Sequence, residues 1–343
     1  MRKIRCWSPL TSSRNTSVRF LLVPDVHLAD RPPSSCTESY TDDLFALLAE
    51  AATFAVHCEA VIFAGDLFHI KAPSRTSHKL VMRTIAALRE FGIPVYVVPG
   101  NHDLAHDQIE SLHISQPLGV IIASGAAQLL DGWMYKDYAD VSEVLPVYGV
   151  PWLQHWTDEA VSEALAGYRK AGSPALVVTH APLYPPGQEL KWEHYPAQNF
   201  ADVMVQGSCF YGHVHEPHGV YQVLNSAGTA APEFCNNGAL SRGSLHEYNL
   251  ERQVGVTIWD SETSNFEFVP LHARPASEVF RLTEVREVQA AEGRLDEFLA
   301  GISTAQLEVV STESVLEHLK SQDGWTEADQ ALAEELLGYA ASG

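Results

Sequence analysis

Five short motifs place metal-ligating residue types in order along the chain. They are Asp25-Val26-His27, Gly65-Asp66, Gly100-Asn101-His102-Asp103, Thr179-His180 and Gly212-His213-Val214-His215. In D-x-H and H-x-H the flanking side chains share one face while the middle apolar residue turns away, so two ligands can reach one ion. Glycine ahead of Asp66, Asn101 and His213 permits a tight turn and close backbone approach. Neutral imidazole, amide oxygen and carboxylate suit Mn, Fe, Zn or Mg, and the imidazoles move the preference away from Mg and Ca. Alone, D-x-H is an ordinary surface pair, H-x-H fits many metal sites and GNHD passes as an Asn-led turn. As an ordered set, the five motifs point to a dinuclear metal site.

Short apolar runs stand at 18–25 (VRFLLVPD), 60–66 (AVIFAGD), 95–100 (VYVVPG), 147–150 (VYGV) and 175–180 (ALVVTH); the first four motifs fall at the ends of the first, second, third and fifth of these, and GHVH falls in the β-rich part beyond residue 201. Between the first three, Leu44, Leu47, Leu48, Ala51 and Ala55, then Val81, Ile85 and Leu88, recur at helical spacing and predict helices over 41–57 and 75–91. Strand, crossover helix and strand define an α/β layered domain. In an open α/β sheet, ligands sit beyond the carboxyl ends of the strands, where these loops fall. After residue 201, DVMVQG, GVYQVL, SLHEYNL, QVGVTIWD and FEFVPLH read as strands on short turns in an antiparallel or mixed sheet.

The 343 residues are 46% apolar and 19% charged, enough for a sizeable core. No apolar stretch spans a bilayer, so the chain reads as soluble and not membrane-associated. Cys6, Cys36, Cys58, Cys209 and Cys235 are scattered and form no CxxC, which argues for reduced thiols and a cytoplasmic setting. Net charge is −21, of which residues 278–343 hold −10. So acidic a chain is a poor stand-alone ligand for a phosphate backbone, and a nucleic-acid role must rest on metal ions, local cations or a partner. Residues 1–17, Arg/Lys- and Ser-rich, are expected to be disordered or extended, 18–275 to form the main domain, and 276–343 to form a small cap and helices. In that tail, Thr326–Asp329 resembles a capping box, and Ala328, Leu332 and Leu336 form a stripe that packs on its own domain or on a partner.

Taken together, DVH, GD, GNHD, H and GHVH closely resemble the calcineurin-like metallophosphoesterase family over about residues 18–250. The resemblance implies an α/β fold built as a two-layered β-sandwich flanked by helices, with a small C-terminal α/β cap and helices. It implies two divalent ions, Mn above others. One would take Asp25, His27, Asp66 and His215, and the other Asp66, Asn101, His180 and His213, with Asp66 bridging. With Asn101 a ligand, its neighbour His102 points away and is placed to protonate the leaving oxygen, with Asp103 as its orienting partner. Pro24 stands where the family often has Ser, without removing a ligand.

GDLFH together with GNHD is similar to the SbcD-type DNA repair nucleases, in a short, phage-like form, and the protein-phosphatase motifs are absent. That likeness implies Mn-dependent 3′→5′ exonuclease and endonuclease activity on DNA, a homodimer through helices near 76–91 and 104–116, and a coiled-coil ATPase partner of the SbcC type in a nucleoid-associated setting. It places His69 near the substrate phosphate; the residue-level alternative is a histidine capping the next turn. Arg242, in a segment resembling the one that closes the core, is either a phosphate contact or a surface arginine. A small-molecule or cyclic-nucleotide phosphodiesterase, and a non-catalytic scaffold, are the rival functions. His106 and His218 are candidates to orient ligands, and the remaining histidines are expected to be ordinary surface or core-edge residues.

Overall fold

The computed structural model of the protein describes residues 3–5, 17–137, 141–171, 175–188 and 194–282. One compact unit covers Met1–Arg281 and a second begins at Leu282. Residues 283–343, with the expected capping box and Ala328/Leu332/Leu336 stripe, lie outside the described residues.

Two sheets carry the site. The first runs, in spatial order, Phe266–Pro270, Gly255–Asp260, Arg19–Val23, Ala60–Phe63, Val95–Val97 and Gln128–Leu129. Its last four strands are parallel, and the 255–260 strand pairs antiparallel with both neighbours. The second runs Lys3–Arg5, Val141–Val150, Leu176–His180, Ser208–Gly212, Glu233–Asn236 and Gly219–Gln222, with Gly132–Asp137 antiparallel to 141–150. Thus Lys3–Arg5, inside the stretch expected to be disordered or extended, is a short parallel edge strand.

Alternation along the strands sorts the apolar residues into layers. Phe20, Leu22, Ala60, Ile62 and Tyr96 of one sheet meet Val147, Leu176, Val178 and Phe210 of the other in a core between the sheets. On the outer face of the second sheet, Tyr148, Val177, Cys209 and Tyr211 pack against Val161, Leu165, Tyr168, Phe200 and Met204 from three helices. On the first sheet, Phe63 meets Phe91, at the end of helix His78–Glu90, edge to face at 6.0 Å. Helix Tyr40–Phe54 buries the predicted Leu44, Leu47, Leu48 and Ala51. The protein is therefore a two-layered β-sandwich flanked by helices.

Two segments expected as strands are helical. DVMVQG begins within helix Ala197–Met204, whose Ala197, Phe200, Ala201 and Met204 fall at i, i+3, i+4 and i+7 and are all buried. SLHEYNL runs into the short helix Glu247–Glu251, where the Asn249 amide donates to the Ser244 carbonyl at 2.8 Å and tightens the turn. Among the described residues no helix is long and apolar enough to cross a membrane.

Candidate metal centre

All five motif loops leave the same edge of the sandwich, and the backbone there is unusual. His27, Asp66 and His213 have φ of 54°, 48° and 79°, a left-handed conformation that Asp and His tolerate better than most residues. Three glycines make room for the convergence. A Cβ on Gly65 would lie 2.2 Å from His180 Nδ1, one on Gly100 2.2 Å from Asp66 Oδ1, and one on Gly212 2.4 Å from the Ala64 carbonyl oxygen. No side chain fits at these positions.

Two groups of side chains result. In one, His27 Nε2 and His215 Nε2 face each other at 2.9 Å, with Asp66 Oδ2 3.6 Å from His27 Nε2 and Asp25 Oδ1 4.0 Å from His215 Nε2. In the other, Asn101 Oδ1 lies 3.1 Å from both His180 Nε2 and His213 Nδ1, and Asp66 Oδ2 lies 3.3 Å from His180 Nε2. Asp66 belongs to both. Its other oxygen accepts from the His102 backbone N–H at 2.8 Å, which joins the GD and GNHD loops. Asp25 Oδ1 accepts from the His213 N–H at 2.8 Å, which joins DVH to GHVH. His180 Nδ1 donates to the Ala64 carbonyl at 2.8 Å, turning Nε2 toward the cluster.

The electrostatics fit a cation set. Burial holds His27 and His215 below the usual imidazole range and His213 down to about 3, so all three are neutral, the ligating form. Burial opposes a charge on His180 too, but Asp66 and Asp25 together lift it to about 9. Asp66 is held well below the carboxylate range by His180, His27 and His102 against its burial, while burial raises Asp25. Asp25 Oδ2 and His27 Nδ1 are buried with no partner. Two buried carboxylates, unpartnered polar atoms and opposed imidazole nitrogens are short of positive charge, and divalent ions supply it. Ligand atoms of Asp25/His27/His215, of Asp25/Asp66/His180 and of His27/His69/His102 each lie within 4.8 Å of one another.

His69 and His102 stand beside the first group. The His69 ring is 5.4 Å from His27 and stacks on His102 at 5.8 Å. His102 Nδ1 is hydrogen-bonded to the His69 carbonyl oxygen. Burial lowers the His69 pKa, and His102, His215 and Arg75 add to the effect against Asp66. The expected Asp103–His102 pairing gives way to a different arrangement. Asp103 Oδ2 accepts from the Gly100 N–H at 3.0 Å and Oδ1 from the Leu67 N–H at 3.2 Å, so it braces the two loops through their backbone. Its neighbour in sequence, His102, takes the His69 carbonyl instead, because adjacent side chains point apart.

Arg242 is only 8% exposed, and its guanidinium donates to the Arg274 carbonyl. This places it in a pocket with Tyr40 and Leu47 on helix 40–54 rather than on the surface. The segment still serves the site, since the Leu240 N–H donates to the Asp25 carbonyl at 2.8 Å. His218 pairs with the Tyr211 hydroxyl at 2.7 Å, and His106 is exposed.

Three supporting residues have no motif signal in the sequence. The Trp152 ring covers His213 at 4.7 Å. Asn236 donates to the Tyr211 and Val214 carbonyls, both at 3.0 Å, and accepts from Gly238 N–H at 3.0 Å, shaping the GHVH loop. The Tyr40 hydroxyl donates to the His27 carbonyl at 3.1 Å, holding the left-handed turn.

Residues 18–217 match the calcineurin-like phosphoesterase family model, and the chain belongs to that family of phosphoester hydrolases. The chain is 32% identical over 110 residues to the DNA double-strand break repair protein Mre11 of Archaeoglobus fulgidus, covering 32% of this chain and 24% of that protein. It is 20% identical over 271 residues to a probable cyclic nucleotide phosphodiesterase of Psychrobacter arcticus, covering 74% of this chain and 82% of that one. Among solved structures, a 5′-nucleotidase precursor from Thermus thermophilus superposes with a TM-score of 0.44 at 12% identity, over 83% of this chain and 60% of that one. The chain thus matches about a quarter of the length of the Mre11 protein.

Proposed function

We propose that the protein is a two-ion, Mn-dependent DNA nuclease, acting as a 3′→5′ exonuclease and endonuclease together with a coiled-coil ATPase of the SbcC type. The observation that carries this reading is the row of imidazoles His27, His69 and His102 beside the shared Asp66, which extends the ligand cluster into a substrate-facing wall. The two 32%-identical Mre11 segments, from Archaeoglobus fulgidus and Sulfurisphaera tokodaii, support it.

When bound, the two ions supply Lewis acidity to the phosphate and to the attacking water. Asp25, His27, Asp66 and His215 would hold one, and Asp66, Asn101, His180 and His213 the other. His102 donates from Nδ1 to the His69 carbonyl, which fixes the ring and leaves Nε2 as the atom that passes a proton to the leaving oxygen. Asp103 keeps the GD and GNHD loops in register, so His102 and Asp66 stay at a fixed separation. Exposed Met82 (70%), Ile114 (82%) and Val120 (54%) lie in and beside the regions expected at a homodimer contact and support that assembly. A soluble, cytoplasmic and nucleoid-associated protein fits this role.

Linear duplex DNA with Mn, tested with and without the ATPase, decides the matter. Cleavage lost in Asp66→Asn and His213→Ala is expected, and intact DNA in both conditions rules the nuclease out. A cyclic-nucleotide phosphodiesterase is the second reading, favoured by the breadth of the Psychrobacter match. Rapid turnover of cyclic mononucleotides with DNA untouched would establish it.

A further inference from the structure

Beyond the ligand cluster, the DVH and GD loops continue side by side. Leu28 and Phe68 form a parallel bridge, and the His69 N–H donates to the Leu28 carbonyl at 2.9 Å. The segments that follow them line a cleft of about 510 Å³ with Asp30, Arg31, Ile70, Ser74, Arg75 and Ser77. Ile70 directly follows His69, so the cleft begins where the imidazole row ends.

The charges in this cleft are not balanced. Asp30 is its only carboxylate among the lining residues, and both oxygens are engaged by one neighbour. Oδ2 accepts from the Ser77 N–H at 2.6 Å and Oδ1 from the Ser77 hydroxyl at 2.5 Å. Ser77 in turn caps helix 78–90 by accepting from the Leu80 N–H at 3.1 Å. Asp30 is thus committed to holding the cleft wall. Arg31 and Arg75 are both exposed, and neither guanidinium has a hydrogen-bond or ion-pair partner among the described residues. Elsewhere arginines find partners: Arg19 with Asp260, Arg83 with Asp42, Arg274 with Asp43 and Glu278, and Arg281 with Glu38. Even Lys71, close to the cleft in sequence, pairs with Asp107 at 3.1 Å. In a chain of net charge −21, two unpaired arginines in one cleft beside the site are out of keeping with the surface around them.

We infer that Arg31 and Arg75 form a phosphate subsite for the part of the substrate lying next to the scissile ester. The ligand is then a polyanion with at least a second phosphate, a polynucleotide strand, rather than a mononucleotide diester. This rests on the nuclease reading and narrows it. Arginine suits the task because its planar fork meets two phosphate oxygens at once. The subsite also answers the charge problem of an acidic nuclease: local cations along the strand's path substitute for a basic surface.

Binding is measured first, without metal, so that it is separate from turnover. Fluorescence anisotropy of a labelled single-stranded 12-mer in EDTA, at several salt concentrations, compares the full chain with Arg31→Ala/Arg75→Ala. The expected result is about tenfold weaker binding or more, with the slope of log affinity against log salt reduced by about 1.4, two contacts at ~0.7 each. Equal affinity and equal slope, or no oligonucleotide binding by the unmutated chain at low salt, overturns the subsite. With Mn, the ratio of kcat/KM for the oligonucleotide to that for bis(p-nitrophenyl) phosphate should fall in the double variant, chiefly through KM. A matched fall on both substrates overturns the proposal too. Melting curves of both proteins verify folding, which exposed Arg→Ala changes leave intact. Binding that depends on the arginines without any Mn-dependent cleavage of DNA keeps the subsite and removes the nuclease reading, so the two failures are distinct.

Discussion

Asp66 concentrates more geometry than any other side chain in the centre. Its backbone is left-handed at φ 48°, one oxygen accepts the His102 N–H, and the other faces His27 and His180. Asn adopts the same backbone conformation readily, so Asp66→Asn removes the charge and little else. Metal content by elemental analysis should drop and cleavage should fall by more than the roughly 10–100-fold that loss of an outer partner costs. Retention of two ions in that variant would contradict a shared carboxylate. His69 makes the complementary case. Each proposed ligand set holds four side chains without it, yet its nitrogen lies in a cluster with His27 and His102. His69→Ala is expected to keep its metal while DNA cleavage weakens about tenfold or more, the low end of a positioned acid–base or substrate contact. Loss of an ion would make His69 a ligand. Among these residues, the gathering of the motif side chains was legible in the sequence as an ordered set, while the shared place of Asp66 was implied by the family resemblance and not by spacing. The partners of Asp103 and Arg242 were not legible, because a buried carboxylate or guanidinium bonds to whatever backbone the fold brings near, here Gly100, Leu67 and Arg274.

At the scale of elements, the parallel strands that lead into the site were legible because each is an apolar run ending in polar residues. Ser208–Gly212 and Glu233–Asn236 were not. They are short, almost wholly buried, and show no alternation to mark them. Helix 197–204 was mistaken for a strand because Val203, Met204 and Val205 look extended when its upstream half is left out. The glycines, by contrast, announced the convergence of loops, and their effect can be tested. Gly212→Ala would drive a methyl into the Ala64 carbonyl and to 2.8 Å from Asp25 Oδ2. Both are fixed parts of the sheet edge. Overpacking of this kind costs about 1–3 kcal/mol, so Tm should fall and activity should fall further, since the methyl also crowds the Asp25 carboxylate. A variant with unchanged Tm and activity would mean the two sheets part more easily than their shared core suggests. The hairpin after this strand supplies a pH test. Burial brings His218, which pairs with Tyr211, down to about 4 from the usual 6.5. The unfolded chain therefore takes up this proton first, and stability present above pH 6.5 is lost as pH falls toward 4. Tm measured at pH 7 and pH 4.5 should drop less in His218→Gln than in the unmutated protein. An identical drop would exclude the histidine as a contributor.

The whole molecule joins two sheets at one edge and places buried carboxylates there, in a chain with 43 acidic and 22 basic residues. Such a site is costly until cations fill it, so metal binding and folding stability are coupled. A ligand at one hundred times its dissociation constant stabilises the native state by about 2.7 kcal/mol. For a protein of this size, that corresponds to a Tm change on the order of 5 °C, at ~2 °C per kcal/mol. Removing metal with EDTA should lower the Tm by at least this much, and Mn should restore it. Diffuse binding of Mn to the acidic surface would also raise the Tm, which makes Asp66→Asn the necessary control. Surface screening acts on both proteins alike, because one carboxylate among 43 hardly changes the field. Only occupancy of the centre is lost in the variant. A Mn-dependent shift of several degrees in the unmutated chain, reduced to the surface component in Asp66→Asn, therefore places the stabilising ion at the sheet edge. Equal shifts in both proteins would place it on the acidic surface instead.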